Sequence, residues 1–381
     1  MRVVVCAEVQ WRYVRTRKQQ LLRRFPADWR ILFLQPYVRG RRNDWWPQRD
    51  GAITYVTVPV LKNVPQPALR RMLAWAPLRA LADAVLLVWV WCLRRWLGFA
   101  SADTVLYVSN VYYGRVLHRL ARCAAVYDCN DNHLAFPDTP PWARHYFEAL
   151  VRGVDAVVVS QSLLREEIEP LRPRALLEIG NGVDFELFDA AWRAPAPPAR
   201  MMALPAPRLG YAGALAAWID FDVFASLAAA FPHASVVLVG PVVGSATPLH
   251  QLREAHPNVH WLGSVPHEEL PHYVACMDVC LIPFRATPLT RGVNPNKLYE
   301  YFALGKPVVS TDFSPWVHDF EPLLRVAGTP AAAVDRVAEA LAAPGDAAVR
   351  RARARQYSWD GAAAAMVALF ERLAARAPGR L

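Results

Sequence analysis

Residues 291–310 read Arg-Gly-Val-Asn-Pro-Asn-Lys-Leu-Tyr-Glu-Tyr-Phe-Ala-Leu-Gly-Lys-Pro-Val-Val-Ser. Asn294 is a good helix cap, and Pro295 suits the first helical position. Gly305 followed by Pro307 stops a helix. The spacing predicts a short helix over Pro295–Leu304 that runs straight into a strand, Pro307–Ser310. That strand is apolar without alternation, as a strand covered on both faces must be. A helix feeding a doubly covered strand is one step of a parallel α/β sheet.

The same step recurs on both sides. Apolar runs upstream predict strands at Val3–Val9, Trp29–Gln35, Ile53–Val58, Thr104–Ser109, Ala125–Asp128, Ala156–Ser160 and Leu176–Ile179. A second series follows at Arg208–Ala212, Ser235–Gly240, Val259–Leu262, Val279–Pro283 and Leu324–Val326. Between the series lies a Pro/Ala-rich stretch at 194–207, too poor in pattern to be an element. The expected organisation is two doubly wound Rossmann-like domains, 1–193 and 208–356, joined by the 194–207 linker. A last helix, Trp359–Ala375, lies in a C-terminal segment, 357–381, that packs back on the first domain.

The chain has 381 residues, 54% of them hydrophobic and 20% charged, too apolar for disorder and ample for two cores. No run of about 20 uncharged apolar residues is present, so a bilayer span is not expected. The N-terminus reads as a first strand rather than a signal peptide. Six scattered cysteines predict free thiols in a reducing cytoplasm. The net charge of +10 is unevenly spread: residues 1–122 hold 21 Lys and Arg against 6 Asp and Glu, and 8 of the 14 Trp. A basic, Trp-rich half points to an anionic partner or surface.

The 291–310 segment also carries chemistry. Free amides at a helix start form an anion site, and Lys297 in the first turn opposes the helix dipole unless an anion is bound there. Glu300 lies on the same face, one turn on. That separation is about the spacing between a nucleotide's phosphates and its ribose, whose two hydroxyls a carboxylate accepts. The plainer alternative is a surface Lys–Glu pair.

Asn296–Ser310 resembles the donor-binding segment of GT-B-fold glycosyltransferases, notably bacterial enzymes of polysaccharide assembly. Gly180-Asn-Gly-Val-Asp184, Leu209-Gly-Tyr-Ala-Gly213, Val237-Leu-Val-Gly240, Leu262-Gly-Ser-Val-Pro266 and Val279-Cys-Leu-Ile-Pro283 agree in order. The resemblance covers roughly residues 120–320 and implies a GT-B fold, two Rossmann-like domains facing a central cleft. It implies that Glu300 holds the ribose and that Lys297 and the helix amides hold the diphosphate. Gly213, Arg291, Asn296 and Leu298 complete that site, and Gly240 and Val265 lie near the base. Two departures stand out. Many retaining members carry a second Glu where this chain has Gly292, and an Arg…Lys pair that Gly213–Asp220 lacks. Arg291 or Arg285 would supply the missing cation.

A second candidate, Val126-Tyr-Asp-Cys-Asn-Asp-Asn-His133, follows a first-domain strand, with Asp128, Asp131 and His133 as candidate catalytic residues. An inverting transfer needs one carboxylate there to take the acceptor's proton, and Asp128 and Asp131 both qualify. An Asx-rich turn is the plain alternative. Asp220-Phe-Asp222 reads as a helix cap rather than a metal motif, and Cys276, Cys280 and His272 do not make a zinc set. The expected reaction moves a sugar from a nucleotide sugar to a glycan or lipid-linked acceptor, with no metal or other cofactor. An epimerase or hydrolase on the same fold is the rival reading. Nucleic acid is disfavoured as a partner, because no reading module is recognisable. Residues 66–99, with an uncharged core at Ala84–Leu93, are expected to dock on an anionic membrane surface or to form a buried helix.

Overall fold

The computed structural model describes residues 1–13, 15–61, 66–101, 103–120 and 122–376. The chain forms two units, Met1–Gly180 with Ala362–Leu381, and Asn181–Gly361.

The first unit is built on eight strands: β1 (Arg2–Cys6), β2 (Arg30–Pro36), β3 (Gln48–Asp50), β4 (Ile53–Val58), β5 (Thr104–Val108), β6 (Ala124–Cys129), β7 (Ala156–Val159) and β8 (Leu176–Glu178). They lie in the order β3-β4-β2-β1-β5-β6-β7-β8. All neighbours are parallel except β3 with β4. β3 escaped the sequence reading because Gln48-Arg49-Asp50 carries neither an apolar run nor alternation. It is a polar strip closing one sheet edge, a common way to blunt an edge. The expected inner strands are all present, with ends shifted by up to three residues.

The second unit holds β9 (Arg208–Ala212), β10 (Ser235–Val239), β11 (Val259–Gly263), β12 (Val279–Ile282), β13 (Val308–Thr311) and β14 (Leu324–Ala327). This sheet is parallel throughout, in the order β11-β10-β9-β12-β13-β14. Strand order reverses between β1 and β5 in the first sheet and between β9 and β12 in the second. Ligands of such sheets bind beyond the strands' carboxyl ends at these reversals.

The unit boundary differs from the expected one at 193. Residues 181–193 belong to the second unit, where Asn181 Nδ2 donates to Asn294 O at 2.7 Å, Val183 N donates to Tyr357 O, and Asp189 pairs with Arg351. Nor is 194–207 a free linker. It contains one helical turn, Ala199–Met202, whose Met201 is fully buried, and Arg200 donates to Leu262 O. Proline content hid a segment that is held by its apolar Met201 and by hydrogen bonds from its backbone and Arg200.

The helix Ala76–Leu97 runs for 22 residues, well beyond the uncharged stretch at its centre. By length and composition it is the one helix among the described residues able to cross a membrane. It is neither fully buried nor free. Leu86, Val90 and Leu93 join the core under the sheet, while the opposite face is exposed.

The helix Trp359–Ala375 starts where Trp359 N donates to Val183 O and ends in the first unit. There the buried Phe370 ring meets Phe25 at 5.7 Å, Trp29 at 6.3 Å and Tyr107 at 5.6 Å. Emptying such a site costs about 3–5 kcal/mol. Phe370→Ala therefore speeds amide exchange in β1, β2 and β5 by roughly 10²–10³-fold, with β9–β14 little changed; hydrogen-exchange mass spectrometry reads both.

Candidate functional site

In the second unit the carboxyl ends of β9, β10 and β12 converge on one helix, Asn296–Ala303. Its cap is Pro295, one residue later than expected from the sequence. Asn294 instead anchors the turn from outside: it is buried, and its side chain accepts from Tyr299 Oη at 2.9 Å. The Leu298 amide already donates to Pro295 O, and its side chain is fully buried. Leu298 therefore supports the site rather than contacting a ligand, because the cap turn consumes its donor. The amides of Asn296 and Lys297 have no backbone acceptor among the described residues.

Lys297 places its Nζ 4.8 Å from the Phe284 ring centre and 5.3 Å from that of Tyr211. Two aromatic faces hold the cation by their negative quadrupoles. Burial lowers Lys297 to about 8 and raises Glu300 to about 7, and each charge opposes the other's shift. Neither side chain makes a hydrogen bond or a close ion pair among the described residues. Asn296 Oδ1 is also buried without a partner. Asn296 Oδ1 is thus buried and unsatisfied beside two partly exposed charges whose pKa values are shifted, a set that a bound polar ligand would complete.

The backbone is shaped to leave space beside them. Gly213, at φ +151°, follows β9, and a Cβ there would sit 3.0 Å from Lys297 Cε. Gly240, at φ +143°, follows β10, and a Cβ there would lie 2.0 Å from Gly213 O. Only glycine lets these two turns approach each other and the lysine. Gly240 N donates to Gly263 O and Gly240 O accepts from Trp261 Nε1, which ties in the loop carrying the half-exposed Val265.

Arg291 ends the short helix Pro288–Arg291 with its side chain exposed, and its carbonyl accepts from Ser314 Oγ. Arg285 is tied to the loop after β9, with Nε donating to Ile219 O. Asp220 caps the helix Phe221–Ala230, accepting from Asp222 N. Cys280 lies buried within β12.

The first unit gathers a second cluster at its own reversal point. Asp128 is fully buried, with both oxygens 2.9–3.0 Å from Arg17 Nε, and accepts from Tyr107 Oη. Burial favours its neutral form, but the charges of Arg17 and Lys18 and two hydrogen bonds outweigh that and lower its pKa. A buried carboxylate so paired is a poor proton acceptor, which corrects the expectation for Asp128. Strand β6 extends one residue further than the sequence suggested and carries Asp128 into the core.

Asp131 and His133 lie in the loop beyond, both half-buried. Burial raises Asp131 to about 7, with Glu8 and Asp128 adding to the rise and Lys18 opposing it. Burial lowers His133 to about 4, so it is neutral at pH 7, and its Nδ1 lies 3.0 Å from Tyr127 Oη. Lys18 joins the groups: fully buried, it pairs with Glu8 and reaches Asn130 Oδ1 at 2.5 Å. Glu8 also accepts from Ser109 Oγ, linking the ends of β1 and β5. Sequence reading missed Glu8 because the first strand was drawn to Val9. The strand ends at Cys6, and the signal was an acid two places beyond Val-Val-Val-Cys.

Residues 206–343 match the family Glycosyl transferases group 1. A curated relative, "Putative teichuronic acid biosynthesis glycosyltransferase TuaH" of Bacillus subtilis (strain 168), is 28% identical over 181 residues. That match spans 45% of each chain, so it covers about half the length of the relative. Among solved structures, sucrose-phosphate synthase from Thermosynechococcus elongatus superposes with a TM-score of 0.76 at 15% identity, over 98% of this chain and 99% of that one. Anabaena HepE, solved in complex with UDP and glucose, gives 0.67 at 16% identity, over 98% and 100%. The chain has the GT-B fold, and its second unit carries a Glycosyl transferases group 1 domain.

Proposed function

We propose that the chain transfers a sugar from a nucleoside-diphosphate sugar to a glycan or lipid-linked acceptor in the assembly of a cell-surface polysaccharide. The observation that carries this reading is the desolvated Lys297–Glu300 pair beside two glycine turns, inside the stretch that matches group 1 transferases. The teichuronic acid relative supports the acceptor class, and a neighbour solved with UDP and glucose supports the donor class. Six free thiols suit a cytoplasmic setting.

The donor's diphosphate lies against the amides of Asn296 and Lys297 and takes the Lys297 ammonium as its counter-charge. Glu300 accepts from the ribose hydroxyls, and Gly213 and Gly240 leave room for the phosphates and base. As the bond to the sugar breaks, negative charge grows on the leaving diphosphate, and prepositioned donors stabilise it there without reorganisation. Lys297 and the amides perform the role a metal ion would otherwise perform, so the transfer is metal-independent. In the first unit Asp131 takes the proton of the attacking acceptor hydroxyl. A carboxylate poised near neutral pH combines adequate basicity with a populated anionic form.

A nucleoside diphosphate needs Lys297 protonated and Glu300 ionised. Its affinity therefore peaks between pH 7 and 8, falling above as the lysine loses its proton and below as the glutamate gains one. Calorimetric titration with UDP across this range shows both limbs; Lys297→Met abolishes the alkaline limb and Glu300→Gln the acid limb. Unchanged UDP affinity in both variants sinks the site.

Asp131→Asn lowers turnover by about 10²–10⁴-fold, the usual loss for a general base, with the fold retained and the product's anomeric configuration inverted relative to the donor. Asp128→Asn acts differently. It leaves Arg17 without its counter-charge and destabilises the first unit by roughly 3–5 kcal/mol, read as a lowered melting temperature. A product that keeps the donor's configuration removes Asp131 from this role.

Turnover of a nucleotide-sugar panel persists in excess EDTA, and release of the sugar requires acceptor. Equal release without acceptor favours a hydrolase.

A further inference from the structure

The outer face of the Ala76–Leu97 helix is left largely exposed by the described residues of its unit, with only Trp45 and Trp46 packed on it. Val88 is 61% exposed, Trp96 62%, and Trp46, from the loop before β3, 74%. Scattered exposed apolar residues are ordinary; a contiguous patch of this kind marks a binding surface. This one is contiguous. Trp45 packs edge-on against Trp89 at 6.1 Å, and Trp46 against Trp96 at 6.2 Å. With Val85, Val88 and Cys92 these rings line an almost wholly apolar trough of about 850 Å³.

Cations line the neighbouring hollow. Trp46 and Trp96 also wall a second, more polar hollow of about 500 Å³, lined by the exposed Arg30 and Arg49. Arg71 and Arg95 are exposed on the Pro67–Ala74 and Ala76–Leu97 helices. An apolar trough that opens on a guanidinium-lined hollow suits a molecule with a hydrocarbon body and an anionic head.

The inner face fixes how the helix meets such molecules. Asp83 accepts from Tyr146 Oη at 2.9 Å, Arg94 Nε donates to Phe99 O, and Leu86 and Val90 are 1% exposed. Spanning a bilayer would strip these contacts and expose Asp83 and Arg94 to hydrocarbon, at several kcal/mol. Lying flat keeps them and buries only the outer face, the geometry of an interfacial helix with tryptophans at headgroup depth.

We infer that this face docks the first unit on the anionic leaflet of a lipid bilayer, with the Ala76–Leu97 helix in the interface plane and a lipid phosphate in the hollow lined by Arg30 and Arg49. The excess of basic over acidic residues in 1–122, 21 against 6, adds a long-range attraction of the same sign. The inference does not depend on the transfer reaction, and UDP binding by the second unit serves as an independent control.

The test is flotation of the full chain with phosphatidylglycerol vesicles and with phosphatidylcholine vesicles. Binding to the anionic vesicles is at least about tenfold tighter and weakens at high salt, as surface attraction is screened. The double variant Val88→Glu/Trp96→Glu and the double variant Arg49→Glu/Arg95→Glu each lose about tenfold or more while keeping the parent's circular dichroism and UDP affinity. Negligible or equal binding to both vesicles overturns the inference. So does undiminished vesicle binding by both variants. A lipid-free dimer that Trp96→Glu dissociates also overturns it, because a second copy of the chain would then cover the face.

Discussion

A parallel strand cannot turn straight back beside its neighbour; the chain must return to the opposite end of the sheet before the next strand begins. All parallel strands of a sheet therefore end on one side, and the loops that leave their carboxyl ends are gathered there. This constraint organises both units. Glu8, Ser109 and Asp131 come from three separate crossovers, yet they meet beyond β1, β5 and β6. Gly213, Gly240 and Lys297 meet beyond β9 and β10 for the same reason. Where the order reverses, the crossovers leave to opposite faces, and the gap between them becomes the site.

Burial on both sheet faces has a second consequence. Charges at the strand ends are carried part of the way into a low-dielectric interior, where they must be paired or shifted. Asp128 takes the first course, held ionised by Arg17 and Tyr107. Asp131, one turn further out, takes the second, and its carboxyl rises to about 7. The two acids are three residues apart, and their surroundings shift their proton affinities in opposite directions. The Lys297–Glu300 pair lies between these cases, close enough for each charge to moderate the other's shift but without a side-chain hydrogen bond among the described residues. Structures retain unsatisfied polar groups at a stability cost, and such groups concentrate where a ligand completes them.

The first unit uses its crossover between β4 and β5 differently. A helix there needs one apolar face to cover the sheet, and Leu86, Val90 and Leu93 provide it. The outer face is apolar as well, beyond what packing requires. Polar residues would serve solubility better on that face. Its tryptophans and flanking arginines are therefore a property of the surface rather than of the core.

Much of this was legible in the residues. Continuous apolar runs located all but one strand, and Ile53–Val58 and Arg208–Ala212 were placed to the residue, because double burial excludes polar side chains from a strand. Glycine and proline punctuation bounded the Asn296–Ala303 helix to within a residue, since positive φ and a missing amide are local constraints. Lys297 and Glu300 could be singled out because both sit on one short helix. Local pattern did not reveal β3, a polar edge held by its partner strand. Nor did it reveal the true role of 181–193, which is set by contacts with residues more than a hundred positions away. The separation of Asp128 from Asp131, and the joining of Glu8 and Lys18 to that cluster, were decided by tertiary structure alone. Proton affinity depends on which distant charges and how much protein surround a group, and that is a property of the packed molecule.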